Sequence, residues 1–174
     1  FGNTIDGCQA EYVLVPNAMA NLAKVPAGLS DEEVLMCPDI MSTGFGGAEN
    51  GNIRIGDTVA IFAQGPIGLC ATAGAKLRGA STIVTIDSLE NRLAISKKMG
   101  ADFTINFLEK DPVAAILDLT QGRGVDVAIE AIGTPPGWDL CENIVRAGGN
   151  IAILGVHGKP VTLHLERMWK RNFT

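Results

Sequence analysis

Two glycines three residues apart, Gly65 and Gly68 in IFAQGPIGLC, stand between an apolar run and the start of an amphipathic stretch. That spacing suits one kind of chemistry, the holding of a diphosphate by main-chain groups. A turn without side chains lets backbone N–H groups at a helix start approach an anion, and the helix dipole adds partial positive charge there. The full pattern is G-x-G-x-x-G after a strand, with its glycines serving the turn, the close backbone approach and the helix packing. Here Ala63 holds the first position, a small change that such a turn can absorb, while Gly65 and Gly68 hold the second and third. Alone, a two-glycine connection is more often a tight strand-to-helix turn than a ligand site.

The neighbouring residues bear on that choice. The next apolar run, STIVTID, ends at Asp87, 19 residues beyond Gly68, near the spacing at which an acid meets the adenosine ribose. A carboxylate there accepts hydrogen bonds from both ribose hydroxyls and repels a 2'-phosphate, which predicts NAD rather than NADP. The competing reading has Asp87 capping the helix whose first turn is SLEN. Strand, turn, helix, strand and acid in register favour the ribose, with Gly65, Pro66, Ile67 and Gly68 around the phosphates. Two later stretches, AIEAIGTPPGW and ILGVHG, end apolar runs in the same way. Ligands of doubly wound sheets lie beyond the carboxyl ends of the strands. Ala131, Ile132, Gly133, Leu154, Gly155 and Val156 are therefore expected at the cofactor, whereas Gly148 and Gly149 in RAGGN read as turn residues.

Positioning these groups requires alternating strands and helices. Apolar runs predict strands at Thr58–Ala63, Thr82–Ile86, Phe103–Asn106, Val125–Ala131 and Asn150–Leu154, and amphipathic stretches predict helices at Ile67–Leu77, Glu90–Met99, Pro112–Leu119 and Trp138–Val145. Strands apolar on both faces imply a parallel sheet covered on each side. The expected fold class is α/β, a doubly wound Rossmann sheet over residues 41–174 without the sixth strand common in such sheets. Residues 1–40 behave differently: AEYVLVP alternates as a strand does. KVPAGLSDEEVL carries Ser30 and Glu33 at capping-box spacing, with Leu29 and Val34 placed as a hydrophobic staple.

Composition bounds the partners. The chain has 174 residues, 47% hydrophobic and 19% charged, with 14 Lys plus Arg against 19 Asp plus Glu, an ordinary globular balance without a basic stripe for nucleic acid. Apolar runs are strand-sized, and no signal peptide or membrane span is expected. The four cysteines, Cys8, Cys37, Cys70 and Cys141, lie far apart without a CxxC, which suggests neither a disulfide framework nor a cysteine zinc knot and fits the cytoplasm.

Three stretches, GCQAEYVLVP, CPDIMSTGFGGAENGNIRIGDTVAIFAQGPIGLCATAGAKLRGAS and GADFTINF, resemble the zinc-dependent medium-chain alcohol dehydrogenases, in particular their bacterial secondary-alcohol branch. The resemblance covers essentially the whole chain. It implies that residues 1–40 close a GroES-like catalytic domain and that 41–174 form the coenzyme domain. It implies an enzyme that moves hydride between an alcohol, or its ketone, and NAD, that is a homo-oligomer at full length, and that this chain alone does not turn over. By the same resemblance Asp39, two residues after the cysteine of CPD, is a catalytic zinc ligand. Its other reading, from the residues alone, is a helix cap after Pro38.

The remaining zinc ligands of the family have no match here, and Cys8, Cys37, His157 and His164 are not assigned to metal. Thr43 corresponds to the threonine beneath the nicotinamide ring, and Arg92 to a basic residue near the adenosine ribose, with a solvated helix charge as its other reading. Two departures stand out. NADP-using members of the branch have a small residue where Asp87 stands, and relatives often have histidine where Gly46 stands, which bears on the proton path or substrate pocket. Two rival functions remain open at this point, a zinc-free quinone reductase and a dinucleotide-binding module without catalysis.

Overall fold

The computed structural model of the chain describes residues 1–172 and 174. Contacts divide it into two compact units, Phe1–Leu35 and Met36–Thr174.

The first unit contains two short helices, α1 (Ala18–Asn21) and α2 (Asp31–Val34). The capping box expected from SxxE is formed: Ser30 Oγ accepts from Glu33 N at 3.3 Å, and Ser30 N donates to Glu33 Oε2 at 2.8 Å. The strand expected at AEYVLVP is not formed. Its backbone belongs to no sheet, and Tyr12 and Leu14 are exposed. Alternation selects a strand only where a neighbour completes the ladder, since an isolated strand leaves its N–H and C=O groups unpaired.

The second unit begins with a π-helical turn at Cys37–Met41 that runs into α3 (Ser42–Asn50). The alternation then follows in order: β1 (Thr58–Phe62), α4 (Pro66–Leu77), β2 (Thr82–Asp87), α5 (Glu90–Met99), β3 (Phe103–Asn106), α6 (Pro112–Leu119), β4 (Val125–Glu130), α7 (Pro135–Ile144), β5 (Val145–Ile153) and α8 (Leu165–Met168). All four strand pairings are parallel and the order across the sheet is β3-β2-β1-β4-β5. The chain winds outward from β1 to one edge, then returns to lay β4 on the other side of β1. The strand order thus reverses between β1 and β4, at the centre of the sheet, where ligands of such folds bind.

Side-chain alternation sends Val59, Ile61, Ile83, Val127 and Ile129 to one face, against Ala48 of α3 and Ala71 and Ala75 of α4. Ala60, Val84, Ile86 and Ala128 face Ala115 and Ile116 of α6 and Leu140, Cys141 and Ile144 of α7. Each fully buried Ile or Val of this core contributes about 1.5–3 kcal/mol through burial.

Two elements depart from the sequence pattern. β5 starts at Val145 because Val145 pairs with Val125 before the ladder breaks and resumes at Asn150 with Val127. The interruption contains Gly148, at φ +69°, and Gly149. α7 starts at Pro135, three residues before Trp138, because Thr134 caps it by accepting from Gly137 N. A proline at the first helical position needs no N–H partner.

Candidate coenzyme cleft

The glycine turn joins β1 to α4. Ala63 lies at φ +74°, in the left-handed region, so the first motif position does demand a turn that glycine would take without strain. Gly65 is the N-cap of α4, at φ −68° and ψ −178°, and Pro66 follows it. Extended backbone of that kind suits any residue, and a Cβ at Gly65 would meet none of the described residues within 4 Å beyond its chain neighbours. Gly68 is the opposite case: a Cβ there would fall 1.9 Å from Ala63 O, so its absence lets α4 close onto β1. Behind the turn, buried Gln64 donates through Nε2 to Ala63 O at 3.0 Å and accepts through Oε1 from Thr72 Oγ1 at 3.0 Å. The first turn of α4 has no carbonyls four residues back within the helix for the N–H groups of Ile67 and Gly68.

Asp87 ends β2 and is 4% exposed. Its Oδ2 accepts from Gln64 N at 2.7 Å, and its Oδ1 accepts from Ser88 N at 2.7 Å and Leu89 N at 3.0 Å. Arg92 Nη1 lies 3.7 Å from Oδ2. Asp87 is not the N-cap of α5; Leu89 is, and it makes no side-chain cap. A carboxylate has about four lone-pair sites, so three amide bonds leave it some accepting capacity.

Gly65, Asp87, Arg92, Ala131 and Ile132 come together on one cleft of about 230 Å³, with Phe62, Ala63, Ser88 and Phe107. An apolar cavity of about 350 Å³ shares Phe62, Phe107 and Ile132 with it and is completed by Pro112, Thr134, Pro136 and Leu140. The rings of Phe62 and Phe107 stand 6.0 Å apart at 43°. Both residues follow the same rule as Asp87, since each sits at or just past the carboxyl end of a strand. That rule could have found them in FTINF and AIFA.

Other expected cofactor residues lie outside the lining of this cleft. Pro66, Ile67 and Gly68 form the first turn of α4. Leu154 turns its side chain inward against Gly47 of α3, while Val156 is exposed. Gly133, at φ +85°, and Gly155 pack against each other: a Cβ on Gly155 would lie 1.9 Å from Gly133 N.

Asp39 and Thr43 are linked, Thr43 Oγ1 donating to Asp39 Oδ1 at 3.1 Å. Asp39 is exposed in the π-helical turn and caps nothing with its side chain. Its carboxylate is chemically suited to zinc, but among the described residues no group of three His, Cys, Asp or Glu ligand atoms includes it. The group that does converge is Asp139, Glu142 and His164. There His164 donates its backbone N–H to Glu142 Oε1 at 3.0 Å and brings Nδ1 within 2.6 Å of Oε2. Together with the bond from Trp138 Nε1 to Thr162 O at 2.8 Å, this fastens the segment after β5 to α7. Among the described residues no helix is long and apolar enough to cross a membrane.

With this geometry in hand, known proteins give a consistent comparison. A family model described as zinc-binding dehydrogenase matches residues 66–174. An alcohol dehydrogenase of Cupriavidus necator is 61% identical over 166 residues, covering 95% of this chain and 45% of that protein. The NADP-dependent isopropanol dehydrogenase of Thermoanaerobacter brockii is 39% identical, covering 97% of this chain and 48% of its own length. The solved zinc-dependent alcohol dehydrogenase 2 of Streptococcus pneumonia superposes with a TM-score of 0.89 at 40% identity, covering 97% of this chain and 48% of that one. The chain spans about half the length of the relatives it matches.

Proposed function

Since the chain belongs to the zinc-binding dehydrogenase family, we propose that it is the coenzyme-binding part of an NAD-dependent alcohol dehydrogenase acting on a small alcohol, secondary rather than primary, and its ketone. The observation that carries the reading is the convergence of Gly65 and Asp87 on one cleft at the carboxyl ends of parallel strands. The diphosphate lies against the first turn of α4, where Gly65 leaves the space that a Cβ would fill. The adenosine ribose lies at Asp87 and Arg92, and the adenine between Ile132 and the Phe62–Phe107 side of the adjoining apolar cavity. Asp87 selects NAD because its carboxylate, held by three amides, is a poor neighbour for a further phosphate. On this point the chain differs from the Thermoanaerobacter relative, whose name states NADP.

Residues 1–40 supply the end of the catalytic domain. Asp39 would supply one carboxylate to zinc, and Thr43, tied to it, would pack against the nicotinamide. A zinc ion held there would supply Lewis acidity toward the alcohol oxygen. This chain's own residues orient the dinucleotide so that its reactive carbon faces the substrate.

Titration of the chain with NADH and NADPH, followed by nucleotide fluorescence, tests the proposal. Saturable binding with NADH favoured supports it. Equal affinities refute the selectivity assigned to Asp87, and no binding of either refutes the coenzyme reading.

A further inference from the structure

Glu130 ends β4 with no exposed surface, and nothing in the coenzyme reading above makes use of its charge. A buried carboxylate is costly unless hydrogen bonds compensate it. Here Oε1 accepts from Ile132 N at 3.1 Å and Gly133 N at 2.9 Å, and Oε2 accepts from Gly133 N at 3.0 Å. The main-chain oxygen of the same residue accepts from Leu154 N at 2.7 Å and Gly155 N at 3.2 Å. One residue therefore holds the backbone leaving β4 and the backbone leaving β5.

Glycines keep the space this requires. A Cβ at Gly137 would lie 2.4 Å from Oε1, and one at Gly155 would lie 2.5 Å from Oε2. His157 completes the enclosure from the β5 side, with Nε2 3.4 Å from Oε2. Both ring nitrogens of His157 are buried and make no hydrogen bond among the described residues. An unmade hydrogen bond of that kind is expensive, and Glu130 is the acid facing it. Cys141 of α7 also faces Glu130: burial first, and the glutamate's charge second, push its thiol pKa up.

The two amides held after β4 lie on either side of Ile132, whose side chain lines both the cleft and the apolar cavity beside it. We propose that Glu130, with His157 as its partner from the β5 side, is a positioning residue of the coenzyme cleft. The carboxylate sets the wall at Ile132 and faces His157 across from it, while the main-chain oxygen of the same residue holds Leu154 and Gly155, so that the two halves of a dinucleotide meet surfaces held in one frame. The proposal rests on the coenzyme reading given above.

Three variants of the chain, titrated with NADH at a temperature where each is folded by circular dichroism, test it. Glu130→Gln keeps the Oε1 acceptor in the same volume and is expected within about threefold of wild type, while Glu130→Met removes the acceptor and is expected about tenfold or more weaker. A merely structural residue would not show rescue by glutamine at equal foldedness. His157→Phe keeps a ring but removes the partner nitrogens, is expected at least about threefold weaker, and decides the matter if the methionine variant does not fold. Wild-type affinity in folded Glu130→Met, a glutamine variant as poor as the methionine one, or wild-type affinity in His157→Phe would overturn the pair while leaving the coenzyme reading standing. A wild-type chain that does not bind NADH would overturn both.

Discussion

Asp87 Oδ2 accepts the backbone N–H of Gln64 at 2.7 Å, which ties the end of β2 to the middle of the glycine turn after β1. The residue proposed to take the ribose is therefore also a strut for the turn proposed to take the diphosphate. Asp87→Gly removes both roles, and Asp87→Asn keeps an acceptor while removing the charge. We predict that the asparagine variant loses discrimination against NADPH with a stability loss of about 1 kcal/mol, and that the glycine variant loses about 1–3 kcal/mol and most NADH affinity. Titration with both nucleotides, paired with urea unfolding, separates the two effects; unchanged selectivity in both variants would remove Asp87 from the ribose.

The two motif glycines predict opposite behaviour. Gly65→Ala adds a Cβ that meets none of the described residues beyond its chain neighbours, so stability should change by less than about 0.5 kcal/mol while NADH binding falls about tenfold, because the methyl occupies the phosphate's place. Gly68→Val drives a side chain into Ala63 O, where even a Cβ lies at 1.9 Å, and should cost about 3 kcal/mol or more by levering α4 off β1. The check is urea unfolding beside NADH titration. A Gly65→Ala chain that binds normally would place the diphosphate elsewhere.

At Ala63, φ +74° carries a penalty that glycine does not have, about 1–2 kcal/mol for an L-residue in the left-handed region against 0.5–1 for the extra flexibility of glycine. Ala63→Gly is expected to raise stability by about 0.5–1 kcal/mol. A lower urea midpoint in the variant would contradict the turn geometry described.

A pH signature comes from the opposite end of the sheet. Burial acts to raise the Asp126 carboxyl, but the Thr58 N–H, at 2.7 Å, and the guanidinium groups of Arg146 and Arg123 outweigh it and hold its pKa below the usual value of 3.8. A group depressed on folding contributes stability that is complete above its unfolded pKa and is lost as pH falls through the folded one. The difference in unfolding free energy between wild type and Asp126→Asn should therefore be level from pH 7 down to about 5, then shrink as pH falls below about 4. A difference that grows on acidification would contradict the assignment.

From Thr58 to Glu130 the elements are legible because each apolar run is bounded by a local signal that tertiary packing reinforces. Glu90–Met99, for instance, ends at Gly100 with φ +116°, a left-handed C-cap. The π-helical turn and α3 were not legible, since Gly44, Gly46 and Gly47 in STGFGGAEN argue for a loop. In the fold, a Cβ at Gly44 would lie 2.5 Å from Cys70 Cβ and one at Gly47 would lie 2.5 Å from Leu154; two of these glycines are there for the close approach of α3 to α4 and to Leu154. AEYVLVP misled for the converse reason, a strand pattern without a strand beside it.

The candidate site shows the same division. Gly65, Asp87, Ala131 and Ile132 follow from the rule that ligands meet the carboxyl ends of strands, and Arg92 from the family resemblance. Glu130 is hidden inside VDVAIEAIG, where its burial depends on backbone amides and on glycines far along the chain, none of which spacing reveals.

The most direct test of the central claim, that main-chain amides at the start of α4 and the Asp87 carboxylate together hold a dinucleotide, is calorimetric titration of the folded wild-type chain with NADH. The account predicts saturation at one equivalent, with NADPH clearly weaker under the same conditions. Absence of heat and of saturation up to millimolar NADH, in a sample whose circular dichroism shows the α/β fold intact, would contradict it.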